Sequence, residues 1–318
     1  MTTDGLVPVV SPPVLGLASP GSRLLADFQV ARSPLTIRAY ATDLRDFARC
    51  IVAASPTAAI DRLLASGPGE AYRLALQYQD ALRLAGRASA TIARRLATLR
   101  SLVRVARRVG LVEWTLDIPG PKRVPYRDTR GPGRNGFLRL VAIAEAQREP
   151  KRSRDLAILW LLYGRALRRS EACRLQVPAD LDLAGGRIRI HGKHRADPEW
   201  VTVPPAAVRA LQQWLSVRGD HAGPLFTRCD HAAGWSGTPQ SLSGDAIWVI
   251  VRSLGDAAGI RVRPHGLRHA AVTEALAATN GDIRSVQRFA RLTSTTTIQV
   301  YDDERADLGG EVSRLLAP

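Results

Sequence analysis

Residues 164–171 have the sequence Gly-Arg-Ala-Leu-Arg-Arg-Ser-Glu, and they end a strongly apolar stretch of the chain. That stretch, from Ser153 to Ala166, predicts a buried central helix. The charged residues that follow this helix are therefore expected at the edge of the hydrophobic core. Arg168 is there either a surface cation that the helix dipole favours or part of a site for an anion.

The segment after this helix predicts a small antiparallel sheet. Apolar and polar residues alternate in Arg187–His191 and in Trp200–Val203, as they do in half-buried strands. Leu181–Leu183 precedes them across a glycine-containing turn, and residues 192–198 form the tip of the hairpin. Lys193 lies at this tip. From Pro204 onward the pattern becomes helical again.

The first half of the chain predicts helices alone, followed by a linker. The predicted helices are Ser33–Ala54, Ile60–Ala65, Glu70–Leu84 and Ala90–Val109. Glycine and proline are frequent in residues 119–136, which indicates a linker. We therefore expect a mainly α fold with a small antiparallel β-sheet (α+β). It comprises a flexible Pro-rich arm at 1–19, a helical domain at 20–118, the linker, and a mixed domain with a C-terminal tail at 137–318.

The charge balance indicates a polyanionic partner. Lys and Arg number 45 against 29 Asp and Glu, which leaves a net charge of +16. A genome whose composition favours arginine would give the same balance. The arginines of Ala90–Val109 lie largely outside its apolar stripe, so they form either a solvated face or a phosphate-binding face. The candidates for DNA contacts in the helical domain are Arg38, Arg94, Arg95 and Arg100.

Cysteine usage and hydropathy give no sign of a metal site or a membrane. The three cysteines are widely spaced and form no zinc pattern, which suits structural thiols in a reducing compartment. No stretch approaches 18 uninterrupted apolar residues. We expect no metal, no other cofactor and no membrane span. The expected location is the cytoplasm of a prokaryote, in association with the nucleoid.

The second half contains the groups that phosphodiester cleavage needs. Cations must face the non-bridging oxygens, a nucleophile must attack, and an acid must protonate the leaving oxygen. Arg168 is followed by Lys193 and then by a Pro-His-Gly-Leu-Arg-His run that holds His265 and Arg268. Tyr301 follows 33 residues after Arg268. Such a set could form a covalent intermediate without a cofactor.

In this order and approximate spacing the motifs resemble the tyrosine recombinase (phage integrase) family. They are Arg-x-Ser-Glu at 168–171, a hairpin lysine, His-x-x-Arg-His and a late tyrosine. The resemblance runs from about Ser19 to the C-terminus. It includes the Ser-Pro-x-Thr-x-x-x-Tyr opening of a core-binding domain at residues 33–40. It implies a site-specific recombinase that cleaves and rejoins DNA through a 3′-phosphotyrosyl intermediate.

The resemblance implies a role for each of five catalytic residues. Arg168 and Arg268 would clamp the scissile phosphate, since a guanidinium is a planar and permanently charged fork. Lys193 would protonate the leaving 5′-oxygen. His265 would assist proton transfer at the tyrosine or hold the phosphate. Tyr301 would be the nucleophile.

These residues also have purely structural interpretations. Lys193 suits a solvated turn, His265 a structural position and Tyr301 a core anchor. Arg169 and His194 would replace their neighbours if the register were shifted by one.

One position departs from the family's pattern. The family usually has His, sometimes Trp, nine residues before the tyrosine in a Leu-Gly-His context, whereas this chain has Leu292 preceded by Arg291. Leucine can neither donate a hydrogen bond nor carry charge. That phosphate contact is missing unless Arg291 or Thr293 supplies it, and slower cleavage is expected. Glu171 is expected to buttress the active-site arginine.

The resemblance also implies partners. One is double-stranded DNA with a specific inverted-repeat core site. The other is the chain itself, which would form a homo-tetramer on DNA and be a monomer or dimer when free. The tail after Tyr301 would dock on a neighbouring protomer or fold back in cis. Three other functions stay open: a catalytically weakened accessory factor, a type IB topoisomerase-like enzyme, and a DNA-binding regulator in which Tyr301 is structural.

Overall fold

The computed structural model describes residues 19–30, 32–121, 131–192, 197–229 and 240–292. The chain divides into two compact units, residues 1–125 and 126–318. Each unit has a hydrophobic core of its own. The predicted fold class is confirmed: the units are helical and mixed, with small antiparallel sheets in the second.

The described part of the first unit consists of helices, and serine-proline pairs start three of them. Ser19, Ser33 and Ser55 each accept a hydrogen bond from the backbone N–H three residues on, at 3.2, 3.3 and 3.1 Å. The proline that follows each serine needs no N–H partner and has the φ of a helix. The helices are α1 Pro20–Gln29, α2 Pro34–Cys50, α3 Pro56–Ala65, α4 Gly67–Leu84 and α5 Ser89–Arg108.

Helix α1 was not predicted, and three predicted helix ends in this unit were wrong, including the start of α4, which is Gly67 rather than Glu70. Leu24 and Phe28, four residues apart, are buried on one face of α1, but a single turn of spacing is too short a signal after a Pro-rich stretch. Helix α2 ends at Cys50 rather than Ala54, because Val52 has a φ of +55° and cannot continue a right-handed helix. Helix α3 begins at Pro56, four residues before the predicted start.

The second unit is built around a buried central helix, as predicted from the apolar stretch. Leu156–Leu159 and Leu161–Leu162 are buried in its core, between the helices that flank it. The elements are α6 Gly133–Glu145, α7 Lys151–Gly164, α8 Arg169–Ala172, β1 Gln176–Val177, β2 Leu181–Asp182, β3 Arg187–Ile190, β4 Glu199–Thr202, α9 Pro205–Arg218, β5 Gly223–Pro224, α10 Gly244–Ala257, α11 Pro264–Ala278 and α12 Ile283–Ala290.

The predicted linker extends too far, because residues 133–136 form the first turn of α6. Gly133 has a φ of +63° at the helix start, and a Cβ on Gly136 would lie 2.6 Å from the Pro132 side chain. These two glycines therefore serve a tight helix start rather than a flexible segment.

The predicted hairpin is present and belongs to a three-stranded antiparallel sheet, β2-β3-β4. Ile188 pairs with Leu181 on one side and with Val201 on the other, and Ile188, Ile190 and Val201 are buried. Strands β1 and β5 form a second, unpredicted sheet of two residues each. No helix in the described residues is both long and apolar enough to span a bilayer.

Candidate active site

Three of the five predicted catalytic residues lie in the described part of the chain, and the structure brings all three together. They are Arg168, His265 and Arg268. Lys193 and Tyr301 lie outside the described residues, as do the alternatives His194 and Thr293.

Arg168 lies just before α8, where the backbone is extended (φ −72°, ψ 145°). Glu171, three residues on, holds it twice. One carboxylate oxygen accepts the Arg168 backbone N–H at 2.8 Å, and the other accepts its guanidinium Nη1 at 2.9 Å. The Arg168 side chain is 38% exposed, whereas that of Glu171 is 3% exposed. Arg168 therefore presents its charge at the surface from a fixed buried base, as the predicted buttress requires.

His265 and Arg268 lie in the first two turns of α11, three residues apart and thus on one face. Arg268 is 2% exposed. Its Nη1 donates to the carbonyl oxygen of Ala166 and its Nη2 to that of Ala290. Arg268 thereby joins the turn after α7, which leads to Arg168, to the end of α12.

His265 is exposed but close to both arginines. Partial desolvation first, and then the positive charges of Arg268 and Arg168, lower the pKa of His265 below its ordinary value. The imidazole is therefore mostly neutral at pH 7. A neutral imidazole can accept a proton, which suits assistance at a nucleophile.

Arg291, the residue before Leu292, is buried and paired with Glu171, which the sequence did not suggest. Arg291 ends α12 in the left-handed region, with φ 51° and ψ 48°. Its side chain is 6% exposed, and its Nη2 donates to Glu171 at 2.7 Å. Arg291 is therefore an ion-pair partner of Glu171. Leu292 is half-buried against a small apolar cluster that includes Val286 and Ala290.

Arg165 completes the positive cluster. Its Nη1 donates to the carbonyl of Phe289, so it joins the same two chain segments as Arg268. Desolvation and the charge of Arg291 lower the pKa of Arg165 to about 10, against the charges of Glu199 and Glu171, so it remains protonated at pH 7. Arg165 and Arg291 were missed as site residues because their partners lie 124 and 120 positions away in the sequence.

The site carries an excess of positive charge. Glu171 is the carboxylate that binds Arg168 and Arg291, and Arg165 and Arg268 add two further guanidinium groups beside it. Burial alone would raise the pKa of Glu171, but Arg291 and the hydrogen bonds from Arg168 outweigh it and lower the pKa. Clustered cations with too few carboxylates attract an anion, and a phosphodiester has the shape and charge that guanidinium forks bind. No cluster of three or more metal-binding side chains occurs among the described residues.

Of the four arginines predicted to contact DNA, one is buried. Arg95 is 9% exposed, and its guanidinium is held by the carboxylates of Asp46 and Asp43. We therefore correct its assignment: Arg95 is a structural residue of the helical unit. It lies three residues after Ile92 and four before Leu99, which places it on the apolar stripe of α5.

The other three differ in exposure. Arg38 is exposed, and Arg94 is half-exposed while paired with Asp43 at 2.5 Å. Arg100 donates to the carbonyl of Ile118 at 3.1 Å and lines a groove of about 650 Å³. Three exposed arginines that were not singled out share this groove, namely Arg104, Arg107 and Arg108.

A helical unit, a mixed unit and an arginine-histidine cluster suited to a phosphodiester are features that an enzyme that breaks and rejoins DNA would have. The phage integrase family model matches residues 135–307, and the model of its N-terminal SAM-like domain matches residues 24–110. The chain therefore belongs to the phage integrase family, whose members are tyrosine recombinases. The predicted family is confirmed.

Comparison with individual proteins gives the same family. A tyrosine recombinase of Synechococcus elongatus is 40% identical over 293 residues, which cover 90% of each chain. One of Synechocystis is 36% identical over 292 residues, 90% of this chain and 91% of that one. The fold is similar to that of the site-specific recombinase XerH bound to a palindromic difH substrate. That comparison has a TM-score of 0.67 at 19% identity and covers 93% of this chain and 84% of that one.

Proposed function

We propose that this chain is a site-specific recombinase that cleaves and rejoins DNA strands through a 3′-phosphotyrosyl intermediate on Tyr301. The observation that carries the proposal is the convergence of Arg168, His265 and Arg268, which lie up to 100 residues apart in the sequence, in one cluster of excess positive charge. Sequence order adds Lys193 and Tyr301, which the family pattern assigns to the same site.

The chemistry follows from these groups. The Tyr301 oxygen attacks phosphorus and forms a new ester, while the bond from phosphorus to the 5′-oxygen breaks. Lys193 donates a proton to that leaving oxygen, and neutral His265 accepts or relays the tyrosine proton. Arg168 and Arg268 stabilise the charge that the non-bridging oxygens gain in the transition state. Rejoining is the reverse, with a 5′-hydroxyl as the nucleophile.

The partner is double-stranded DNA with an inverted-repeat core site. The palindromic substrate of XerH, a protein of similar fold, supports a site of this symmetry. A homo-tetramer on paired sites, formed from free monomers or dimers, would exchange strands. The tail after Tyr301 would dock on a neighbouring protomer. Because the similar proteins of Synechococcus elongatus and Synechocystis come from bacteria, we propose that this reaction takes place in a prokaryotic cytoplasm, on the nucleoid.

Covalent trapping tests the proposal. The protein first selects its site from a library of randomised inverted repeats, and that site is built into a nicked suicide duplex. We expect a protein–DNA band that survives denaturing electrophoresis and disappears after protease treatment. Sequence-specific binding without any such band would contradict the proposal and favour an accessory factor. A topoisomerase would be favoured if the adduct formed equally well on a single unpaired site and the protein also relaxed supercoiled DNA.

Arg268→Lys is expected to lower the single-turnover rate of adduct formation by roughly 10²-fold, the range seen when one preorganised donor is lost. Lysine keeps the charge but cannot bind the Ala166 and Ala290 carbonyls at once while facing a phosphate. The matched control is Arg252→Lys, because Arg252 bonds Asp256 on the surface of α10. Equal rates for the two variants would exclude Arg268 from the phosphate clamp.

Arg104→Gln is expected to weaken DNA binding through one phosphate contact. Arg104 is exposed in the arginine-lined groove of the first unit. The slope of log K against log salt concentration should decrease by about 0.9. Arg73→Gln is the control, since Arg73 is 77% exposed on α4 and paired with Glu70. The same slope change in both variants would show a general charge effect and no contact in the groove.

A further inference from the structure

The end of α12 holds an arginine in a conformation that an arginine does not favour. At φ 51° and ψ 48°, Arg291 is in the left-handed region, where a Cβ crowds the following carbonyl oxygen and makes the conformation unfavourable. Glycine would occupy this position without that cost. The side chain must therefore make interactions that offset an unfavourable backbone.

Those interactions converge on the base of the active site. The Arg291 guanidinium binds Glu171 at 2.7 Å and approaches the carbonyl oxygens of Arg165 at 3.4 Å and Phe289 at 3.5 Å. The Arg291 carbonyl oxygen, in turn, lies 3.5 Å from Nη2 of Arg168. Arg291 thus contacts Arg168 directly through its backbone and indirectly through Glu171.

The bond to Glu171 determines what Arg291 can do there. The Arg291 side chain is 6% exposed, whereas that of Arg168 is 38% exposed. A phosphate at the surface meets Arg168 first. The Glu171 carboxylate between them is 3% exposed, and a buried carboxylate stays ionised only while cations hold it.

We propose that Arg291 is a positioning residue for strand cleavage: it holds Glu171 in the geometry that aims the Arg168 guanidinium at the scissile phosphate. The inference rests on the proposed function. This inference gives a role to Arg291. The next residue, Leu292, occupies the position at which the family pattern has a phosphate-binding histidine. Arg291 touches no DNA and acts through Glu171.

The test substitution is Arg291→Gly, because glycine suits the backbone and removes only the guanidinium. We expect a fold that melts close to the unaltered protein and DNA binding that is nearly unchanged. The single-turnover rate of adduct formation on the suicide duplex should decrease roughly 10- to 100-fold, the range for losing a hydrogen bond to a charged group. Arg291→Lys, which restores a cation near Glu171, should recover part of this loss.

A pH profile separates positioning from a general structural role. The charged groups that face Glu171 among the described residues are Arg165 at the end of α7, Arg168 beside α8 and Arg291 after α12. Arg291 lowers the pKa of Glu171, so its removal lets burial raise that pKa. The ionised form holds Arg168. Protonation of His265 slows the unaltered protein at acid pH as well, so the variant should lose cleavage at a higher pH and more steeply than the unaltered protein as the pH decreases from 8 to 5.5.

Combining Arg291→Gly with Glu171→Gln completes the test. If Arg291 acts through Glu171, the double variant is no slower than Glu171→Gln alone and has no acid-side loss beyond that of the unaltered protein. Additive rate losses would mean that Arg291 acts on DNA independently and would overturn the inference, as would an unchanged rate and pH profile in Arg291→Gly. Absence of a Tyr301-dependent adduct in the unaltered protein would instead overturn the proposed function itself, and this inference with it.

Discussion

Tyr301→Phe is expected to abolish the covalent protein–DNA adduct while leaving sequence-specific binding within about twofold of that of the unaltered protein. The substitution removes one oxygen, and no other atom of the side chain can form the ester. Binding should persist because phosphate contacts by arginine and lysine supply most of the affinity for DNA. Denaturing electrophoresis of the suicide-substrate reaction measures the adduct, and a mobility-shift titration measures the binding.

The matched control is Tyr72→Phe, a half-buried tyrosine of α4 in the other unit of the chain. It should form the adduct at the rate of the unaltered protein. An adduct that persists in Tyr301→Phe would place the nucleophile at another residue. Mapping the labelled peptide after protease digestion would then identify it, and the family's assignment of the late tyrosine would not apply to this chain.

Sequence order was enough to identify the site, but not the contacts that support it. The motifs around Arg168, His265 and Arg268 could be recognised because each is local and their order along the chain is informative. The bond between Arg291 and Glu171 spans 120 positions and has no local pattern. From the sequence, Arg291 suggested only a substitute for a missing histidine, and its ion pair with Glu171 had no signal there.

Secondary structure was predicted where a local physical signal exists. The serine-proline pair at residues 33–34 placed the start of α2 correctly, and alternation placed β3 and β4 to within one residue. Strands β1 and β5 have two residues each, which is too few for alternation to appear. The start of α6 was missed because its glycines have the composition of a linker, although both serve close packing and a turn.

The exposure of charged residues on a helix is harder to predict than the helix itself. Arg94 and Arg95 are adjacent on α5, yet the side chain of Arg94 is 47% exposed and that of Arg95 11%. The difference depends on Asp43 and Asp46, which lie about 50 positions earlier on α2. A basic stripe in the sequence therefore contains both DNA-binding candidates and residues that join helices.

Asp43→Ala is expected to destabilise the helical unit by about 3 kcal/mol, because it removes the buried carboxylate that accepts hydrogen bonds from Arg94 and Thr98. Asp43 is 1% exposed. It accepts hydrogen bonds from Arg94 at 2.5 Å and from Thr98 at 2.8 Å, and it lies 3.8 Å from Nε of Arg95. Its loss breaks the buried polar contacts of α2 with Arg94 and Thr98 on α5 and leaves the Asp46–Arg95 pair.

Hydrogen exchange of the full chain, followed by mass spectrometry of peptides, measures this effect within one unit. A loss of 3 kcal/mol accelerates globally limited exchange on the order of 10²-fold, which should appear in peptides from α2, α4 and α5. Peptides from α7 should keep their rates, because α7 belongs to the other unit's core. Asp80→Ala is the control: Asp80 is 64% exposed in a surface pair with Arg83, and its loss should cost less than about 0.5 kcal/mol. If Asp43→Ala changed exchange no more than Asp80→Ala, the contacts of Asp43 would not stabilise the unit, and the structural assignment of Arg95 would lose its energetic support.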